Sequence, residues 1–234
     1  MYSVVENMKI KLVGENLELF DALLSPYKAS FELADLPEFV FVLGGDGTLM
    51  RAEHQFPSIP KLFLRDSRIA KLAGPHTNEE ILKAFFENRY DVVEYAKLDV
   101  EVCGQKATAL NDIVMHNANP RHAIRYSVKI DGKVRYEHVI GDGVVCATPL
   151  GSTGYYRSIT DSSIEVGIGL AFNNSTEQTD HIVLRDTSVV EIEILRGPAF
   201  CYVDNQEDSF ELTNGDIVTI QKSDSTAQLI RIHI

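Results

Sequence analysis

The run Phe39-Val40-Phe41-Val42-Leu43-Gly44-Gly45-Asp46-Gly47-Thr48 decides how the rest of the chain is read. Its first five residues are apolar without a break and have the length of a strand. Such a run suits a parallel strand buried on both faces. Leu49 to His54 then has the composition to begin a helix. Ligands of open α/β sheets gather at the carboxyl ends of strands. Glycines there let backbone approach a ligand or take positive φ, and exposed N–H groups at a helix start can cradle phosphate. Asp46 is the informative residue, because a carboxylate in a phosphate loop repels its ligand. It must hold a metal ion or accept a proton from a hydroxyl nucleophile, and both roles belong to phosphoryl transfer. Thr48 adds a hydroxyl or a helix cap. A plain strand-to-helix turn capped by Asp46 explains the motif equally well when it is taken alone. No Gly-Lys-Ser/Thr follows, so this is not a Walker loop, and it is not a GxGxxG fingerprint.

Around this run the first ~90 residues alternate short apolar stretches with helical spacing, which predicts βαβ units and a Rossmann-like parallel sheet. Met8 to Val13 reads as a strand closed by Gly14. Leu17, Phe20, Leu23 and Leu24 recur at helical spacing up to Pro26. Lys61 to Leu64 is a further strand, and Asn78 to Asn88 a further helix with Asn78 as its expected N-cap. Beyond Tyr90 to Ala96 the pattern changes to short β-type runs: Leu98 to Cys103, Ile124 to Ile130, Val134 to Ile140, Val189 to Leu195, Ala199 to Val203 and Ile217 to Gln221. Asp131-Gly132 is a hairpin signal and Asn214-Gly215 a turn signal. The expectation is an α/β N-terminal domain over 1–93 and a β-rich, sandwich-like domain over 94–234, with the last strand free to return to the first.

The formal net charge of −12 over 234 residues disfavours nucleic acid and anionic membranes as partners. It also means that a nucleotide site must rely on backbone N–H groups, a few placed cations or a metal ion. Cys103, Cys146 and Cys201 are sparse and unpaired in sequence, as in a reducing compartment. No run of about 18 apolar residues suggests a membrane span. Met1 to Glu6 lacks the basic start and apolar stretch of a signal peptide, so a cytosolic protein is expected. The seven histidines show no HxxxH or HxH spacing, and no metal-ligating set is expected.

A second motif lies at Asp142-Gly143-Val144-Val145-Cys146-Ala147-Thr148-Pro149-Leu150-Gly151-Ser152-Thr153-Gly154-Tyr155. A short apolar strand runs into a turn dense in glycine and hydroxyls. Thr148-Pro149 forces extended or turned backbone. Ser152 and Thr153 offer hydroxyls, and Tyr155 can stack on a flat ring. The small polar cluster favours a ligand loop over a purely structural one.

Together the two motifs resemble the NAD kinase family. That family has a GGDGT loop in an N-terminal α/β domain, then an Asn-Glu pair, then a DGxxxxTPxGSTxY segment in a β-rich domain. Here Leu110-Asn111-Asp112-Ile113 falls where the pair is expected, and Val203-Asp204-Asn205-Gln206 looks like the family's Asp-Gly-Gln segment. GGDGT alone is shared with lipid kinases and, in a close variant, phosphofructokinases; the TPxGST segment makes the resemblance specific.

The resemblance implies that ATP or polyphosphate donates its terminal phosphate to the 2′-hydroxyl of the adenosine ribose of NAD, giving NADP. Asp46 would be the general base. Gly44, Gly45, Gly47, Thr48 and Arg51 would lie beside the phosphates. Asn111 and Asp112 would hold the adenine side of NAD, and Asp142, Thr153, Gly154, Tyr155, Ser158 and Gln206 the remainder. Magnesium would bridge the donor phosphates, and a homodimer or homotetramer is implied.

The chain departs from the family in places. The usual Gly-x-Asn-x-Gly-x-Leu-Gly-Phe run is replaced by Phe63 to Lys71, with Arg65, Arg68 and Lys71 in its place. Those cations can bind phosphate or form a solvated face. Asp112 stands for the family Glu and is one methylene shorter. Asn205 replaces Gly, and Asn tolerates left-handed backbone. The Gly-Gly-Pro segment after Tyr155 is absent. A GGDGT-type lipid or sugar kinase and a nucleotide binder without turnover are the competing readings. NAD versus NADH and the choice of donor stay open.

Overall fold

The structure, a computed structural model, describes residues 7–66, 75–176 and 181–234. Its chain forms two compact units, Met1–Tyr95 with Ala227–Ile234, and Ala96–Thr226. Arg68 and Lys71 lie outside the described residues.

In the first unit the strands are β1 (Met8–Gly14), β2 (Phe31–Leu33), β3 (Phe39–Gly44) and β4 (Lys61–Arg65). They lie side by side in the order β2-β1-β3-β4, all parallel. The helices are α1 (Leu17–Leu24), α2 (Asp46–Gln55) and α3 (Asn78–Phe86). The apolar run of β3 is buried on both sides. Phe41 and Leu43 pack with Ile10, Phe20, Leu82 and Phe85, under α1 and α3. Val40 and Val42 pack with Val13, Leu49 and Ala52, under α2. Alternate residues of one strand thus serve two separate cores, which is why no polar residue interrupts it.

Two local expectations are corrected. Thr77, not Asn78, caps α3, in a capping box with Glu80. Asn78 is instead the first helical residue, and its side chain bonds both the N–H and the carbonyl of Arg65, at 2.8 Å each. The helix after β3 starts at Asp46 rather than Leu49, because Gly44, lacking a Cβ, lets Thr48 and the first turn pack directly against the end of β3.

Strand β5 (Tyr90–Val102) leads from the first unit into the second. There the remaining elements are β6 (Gln105–Ala109), β7 (Asp112–Asn117), β8 (Ile124–Ile130), β9 (Lys133–Gly141), β10 (Gly143–Ala147), α4 (Tyr155–Thr160), β11 (Ile168–Asn173), β12 (His181–Leu184), β13 (Val190–Arg196), β14 (Ala199–Val203), β15 (Ser209–Leu212) and β16 (Ile217–Ile232). One antiparallel sheet runs β12-β11-β10-β7-β14-β15. The other contains β13, β8, β9 and the start of β16. Tyr126, Val128, Ile192 and Val218 of the second sheet share a core with Ile113, Met115, Val144 and Leu170 of the first. This is a sandwich. Asp131 and Gly132 join β8 to β9 with both residues at positive φ, as a two-residue hairpin requires.

The outer face of the six-stranded sheet is covered by α4. Tyr156 is fully buried there against Val114, Val145, Ala147 and Ala171. The end of β16 returns to the first unit, where Leu229 pairs in parallel with Lys61.

Candidate active site

In the first unit the carboxyl ends of β1, β3 and β4 lie in register, with Gly14 beside Leu43 and Gly44 beside Arg65. Gly45 alone separates β3 from α2, in extended conformation, and Asp46 opens the helix. The first N–H groups of a helix have no partner within it, and the dipole makes that end positive. Here that end carries Gly45, Asp46 and Gly47. An acidic first turn also satisfies the dipole, so the position serves both the catalytic and the plain structural reading.

The glycine argument is corrected. None of Gly44, Gly45 and Gly47 has positive φ. Gly44 is required for space: a Cβ there would come within 2.7 Å of the Thr48 Cβ. Thr48 therefore sits against the strand end instead of standing out as a free hydroxyl. Close approach of α2 to β3, not unusual backbone, is what the motif supplies.

Around this end Asn16 caps α1 and bonds the Asp66 carboxylate at 3.2 Å. The Asp66 N–H returns to the Gly44 carbonyl. Arg51, on α2, is exposed and pairs with Glu15 at 3.6 Å. At the other end of α2, buried Glu53 forms an ion pair with fully buried Lys61, whose ammonium also bonds the Phe56 carbonyl at 2.7 Å.

The second unit builds its site on the start of β7. Leu110, Asn111 and Asp112 are gripped from two sides. The Thr148 N–H donates to the Asn111 carbonyl, and its hydroxyl to the Leu110 carbonyl, at 2.9 and 2.7 Å. Gly151 packs so close that a Cβ would stand 2.5 Å from the Asn111 Cα. On the other side the Asp204 carboxylate accepts the N–H groups of Leu110, Asn111 and Asp112 at 2.7, 2.7 and 3.1 Å. The Asn111 side-chain oxygen is buried and has no hydrogen-bond partner, a costly state in a closed protein. Asp112 is 9% exposed. Burial first, and the charge of Asp204 second, push its acid up to about 7.

Asp142 bridges β9 to β10. Its carboxylate accepts the amides of Asn117 and Asn174 at 3.1 and 2.9 Å. Tyr155 opens α4 with its ring partly exposed, and its hydroxyl accepts the Asn173 amide at 2.9 Å. Burial, with the Asp142 and Asp112 charges, raises the Tyr155 phenol. Thr153 and Ser158 donate their hydroxyls to the Leu150 and Tyr155 carbonyls. Gln206 lies half-buried in the turn after β14, its N–H on the Val203 carbonyl.

The hydroxyl argument is corrected at Ser152. Its side chain is fully buried, donates to the Pro149 carbonyl and accepts the Ile164 N–H. The Gly-Ser-Thr turn is thus held by its own hydroxyls, and only Thr153 and Gly154 within it are part-exposed. The amides of Asn117, Asn173 and Asn174, which hold Asp142 and Tyr155, escaped the sequence reading. Each belongs to a different segment from its partner, and no local spacing announces it.

Two solved structures similar to this one over nearly its whole length are an NADH kinase and an NAD kinase. A yeast NADH kinase complexed with NADH superposes with a TM-score of 0.83 at 17% identity, covering 97% of this chain and 84% of that one. An NAD kinase from Archaeoglobus fulgidus in complex with ATP does so with a TM-score of 0.79 at 22% identity, covering 97% and 94%. Such likenesses define the fold. The sequence defines the family: residues 110–232 match the model of the ATP-NAD kinase C-terminal domain. An NAD kinase of Lachnoclostridium phytofermentans is 30% identical over 217 residues, 83% of this chain and 75% of its own. One from Natranaerobius thermophilus is 26% identical over 215 residues, 86% and 74%. The chain belongs to the NAD kinase family.

Proposed function

We propose that this protein phosphorylates NAD on the 2′-hydroxyl of its adenosine ribose, with Asp46 as general base. The observation that carries the reading is the position of Asp46, in the first turn of α2 at the carboxyl end of a buried parallel strand. Beside bound phosphate a carboxylate repels the ligand, a cost that goes beyond what helix capping needs, and it has a task if a hydroxyl must lose a proton. The ribose 2′-O–H gives its proton to Asp46, and its oxygen forms a bond to the terminal phosphorus of the donor. The bond from that phosphorus to the bridging oxygen breaks, and ADP leaves.

The N–H groups at the start of α2 suit the transferring phosphates, with Gly44, Gly45, Gly47 and Thr48 at that turn. Arg51 reaches phosphate by exchanging its exposed pairing with Glu15. Among the described residues no group of three or more His, Cys, Asp or Glu side chains gathers as a metal cage. Magnesium would arrive on the donor phosphates as part of the substrate, where it would offset charge between phosphates and carboxylates.

NAD is held in the second unit. Asn111 and Asp112 take the adenine side. Asp142, Thr153, Gly154, Tyr155, Ser158 and Gln206 take the remainder, with the partly exposed Tyr155 ring offering a stacking face. In this reading residues 1–93 carry the donor phosphates and 94–234 the dinucleotide. The protein works in the cytoplasm as a homodimer or homotetramer, and light scattering on the purified chain checks the latter.

The reading is tested by incubating the protein with magnesium, ATP or polyphosphate, and NAD or NADH. Phosphorylated dinucleotide at the 2′ position is the expected product. Absence of product with every donor and acceptor contradicts it.

A further inference from the structure

Asp204 ends β14 with left-handed backbone, φ 50°. Both of its carboxylate oxygens are spent on backbone. One accepts Leu110 N–H; the other accepts Asn111 and Asp112 N–H. Its own N–H donates back to the Asp112 carbonyl at 2.9 Å. A ring of consecutive N–H groups is the arrangement that proteins use to bind anions. Here the anion is a side chain supplied from more than ninety residues away. Charge-assisted bonds of this kind are the strong ones, and two of them fall on Asn111, with its buried unpartnered oxygen, and Asp112, buried near the same carboxylate.

We propose that Asp204 is the positioning residue of the dinucleotide subsite: its carboxylate locks the Leu110–Asp112 backbone so that Asn111 and Asp112 are held ready for ligand. This rests on the reading that Asn111 and Asp112 hold NAD. Thr148 and Gly151 fix the same segment from the opposite side, so removing Asp204 loosens the segment without releasing it. The charge of Asp204 also acts on Asp112 and helps to raise its acid to about 7. The other titratable groups that feel Asp112 are Cys146 on β10 and Tyr155 on α4, both kept neutral around that pH by burial. Asp112 therefore carries a proton part of the time near pH 7 and can donate as well as accept.

The test is calorimetric titration of NAD into the full chain on both sides of pH 7, for wild type, Asp204→Asn and Asp112→Asn. Wild type should show an affinity that changes with an inflection near 7. Asp204→Asn opposes an amide N–H₂ to one of the backbone donors and removes the charge. It should bind NAD about tenfold or more weakly and move the inflection to lower pH, while turnover at saturating NAD changes little. General loosening of the fold would weaken binding without moving the inflection. Asp112→Asn leaves the backbone cage intact, so it folds even if Asp204→Asn does not, and it should abolish the inflection. The proposal is overturned if Asp204→Asn leaves affinity and inflection unchanged, or lowers affinity with the inflection in place. It is equally overturned if the inflection survives in Asp112→Asn. Wild type that binds no NAD at any pH would instead refute the underlying assignment of the subsite.

Discussion

Asp112 shows what the site costs the fold. Its acid sits at about 7 in the folded chain against 3.8 when unperturbed. Between those values the folded protein keeps a proton that the unfolded chain has lost. The contribution of this group to stability therefore falls as pH rises through that window and is flat above it. Asp112→Asn should remove that slope and be more stable than wild type by roughly 2–4 kcal/mol at mildly alkaline pH. Urea denaturation at pH values either side of the window measures it. An unchanged slope would mean that the carboxyl is better solvated than its burial indicates. The sequence places Asp112 beside Asn111 and identifies the position with a family Glu, but its neighbour in space, Asp204, is about ninety residues distant in the chain. Motif reading finds side chains that lie together in the chain. It names Asp204 in the Asp-Gly-Gln-like segment, but does not reveal that its carboxylate bonds the Leu110–Asp112 backbone and adds to the effect of burial on Asp112. Ser152 makes the same point in reverse, since a hydroxyl in a ligand-like run is consumed by backbone, at Pro149 in its own turn and at Ile164 twelve residues on.

At the scale of elements, α2 is fastened at both ends. Gly44 lets its first turn settle against β3, and Glu53 and Lys61 tie its last turns to the start of β4. Lys61 is fully buried and also bonds the Phe56 carbonyl at the end of the helix. Lys61→Met leaves Glu53 buried without that ammonium and should cost about 3–5 kcal/mol. Changing both residues, Glu53→Leu with Lys61→Met, should recover most of the loss, as chemical denaturation of the three proteins would show. A single and a double variant equally unstable would argue that helix packing, not charge, is at stake. The strand–helix–strand order of this region is legible because β3 is apolar throughout and α1 has clear helical spacing. The exact helix start is not, because glycine composition does not reveal that only one residue separates β3 from α2. Neither is the buried pair, since Glu53 and Lys61 read as ordinary surface residues of a helix and a strand end.

For the whole molecule, the chain's end matters to its beginning. β16 reads in sequence as Ile217 to Gln221, because Lys222 to Thr226 is polar, yet it continues to Ile232. Its last part supplies Leu229 beside Lys61 and packs Ile230 and Ile232 onto the core of the first unit. His233 is held by Arg89 and by Asp91 at 2.9 Å. Truncation after Thr226 uncovers that core and should lower the melting temperature by about 10 °C or more. A truncated protein that melts like the full chain would show the returning segment to be dispensable. The division into a parallel α/β part and a β-sandwich was legible from the change in periodicity near residue 90. The return of the last strand to the first part is allowed for in the sequence, but the unbroken length of β16 is not legible, because a strand half-exposed at its centre loses the alternation by which strands are recognised.

The central claim is that Asp46 removes the ribose proton. It is tested most directly by measuring, for wild type and Asp46→Asn side by side, the rate of NADP formation at saturating magnesium–ATP and the equilibrium affinity for NAD. The account predicts that turnover falls by about 10²–10⁴-fold while NAD affinity stays within a few-fold of wild type. Undiminished turnover in Asp46→Asn would contradict it.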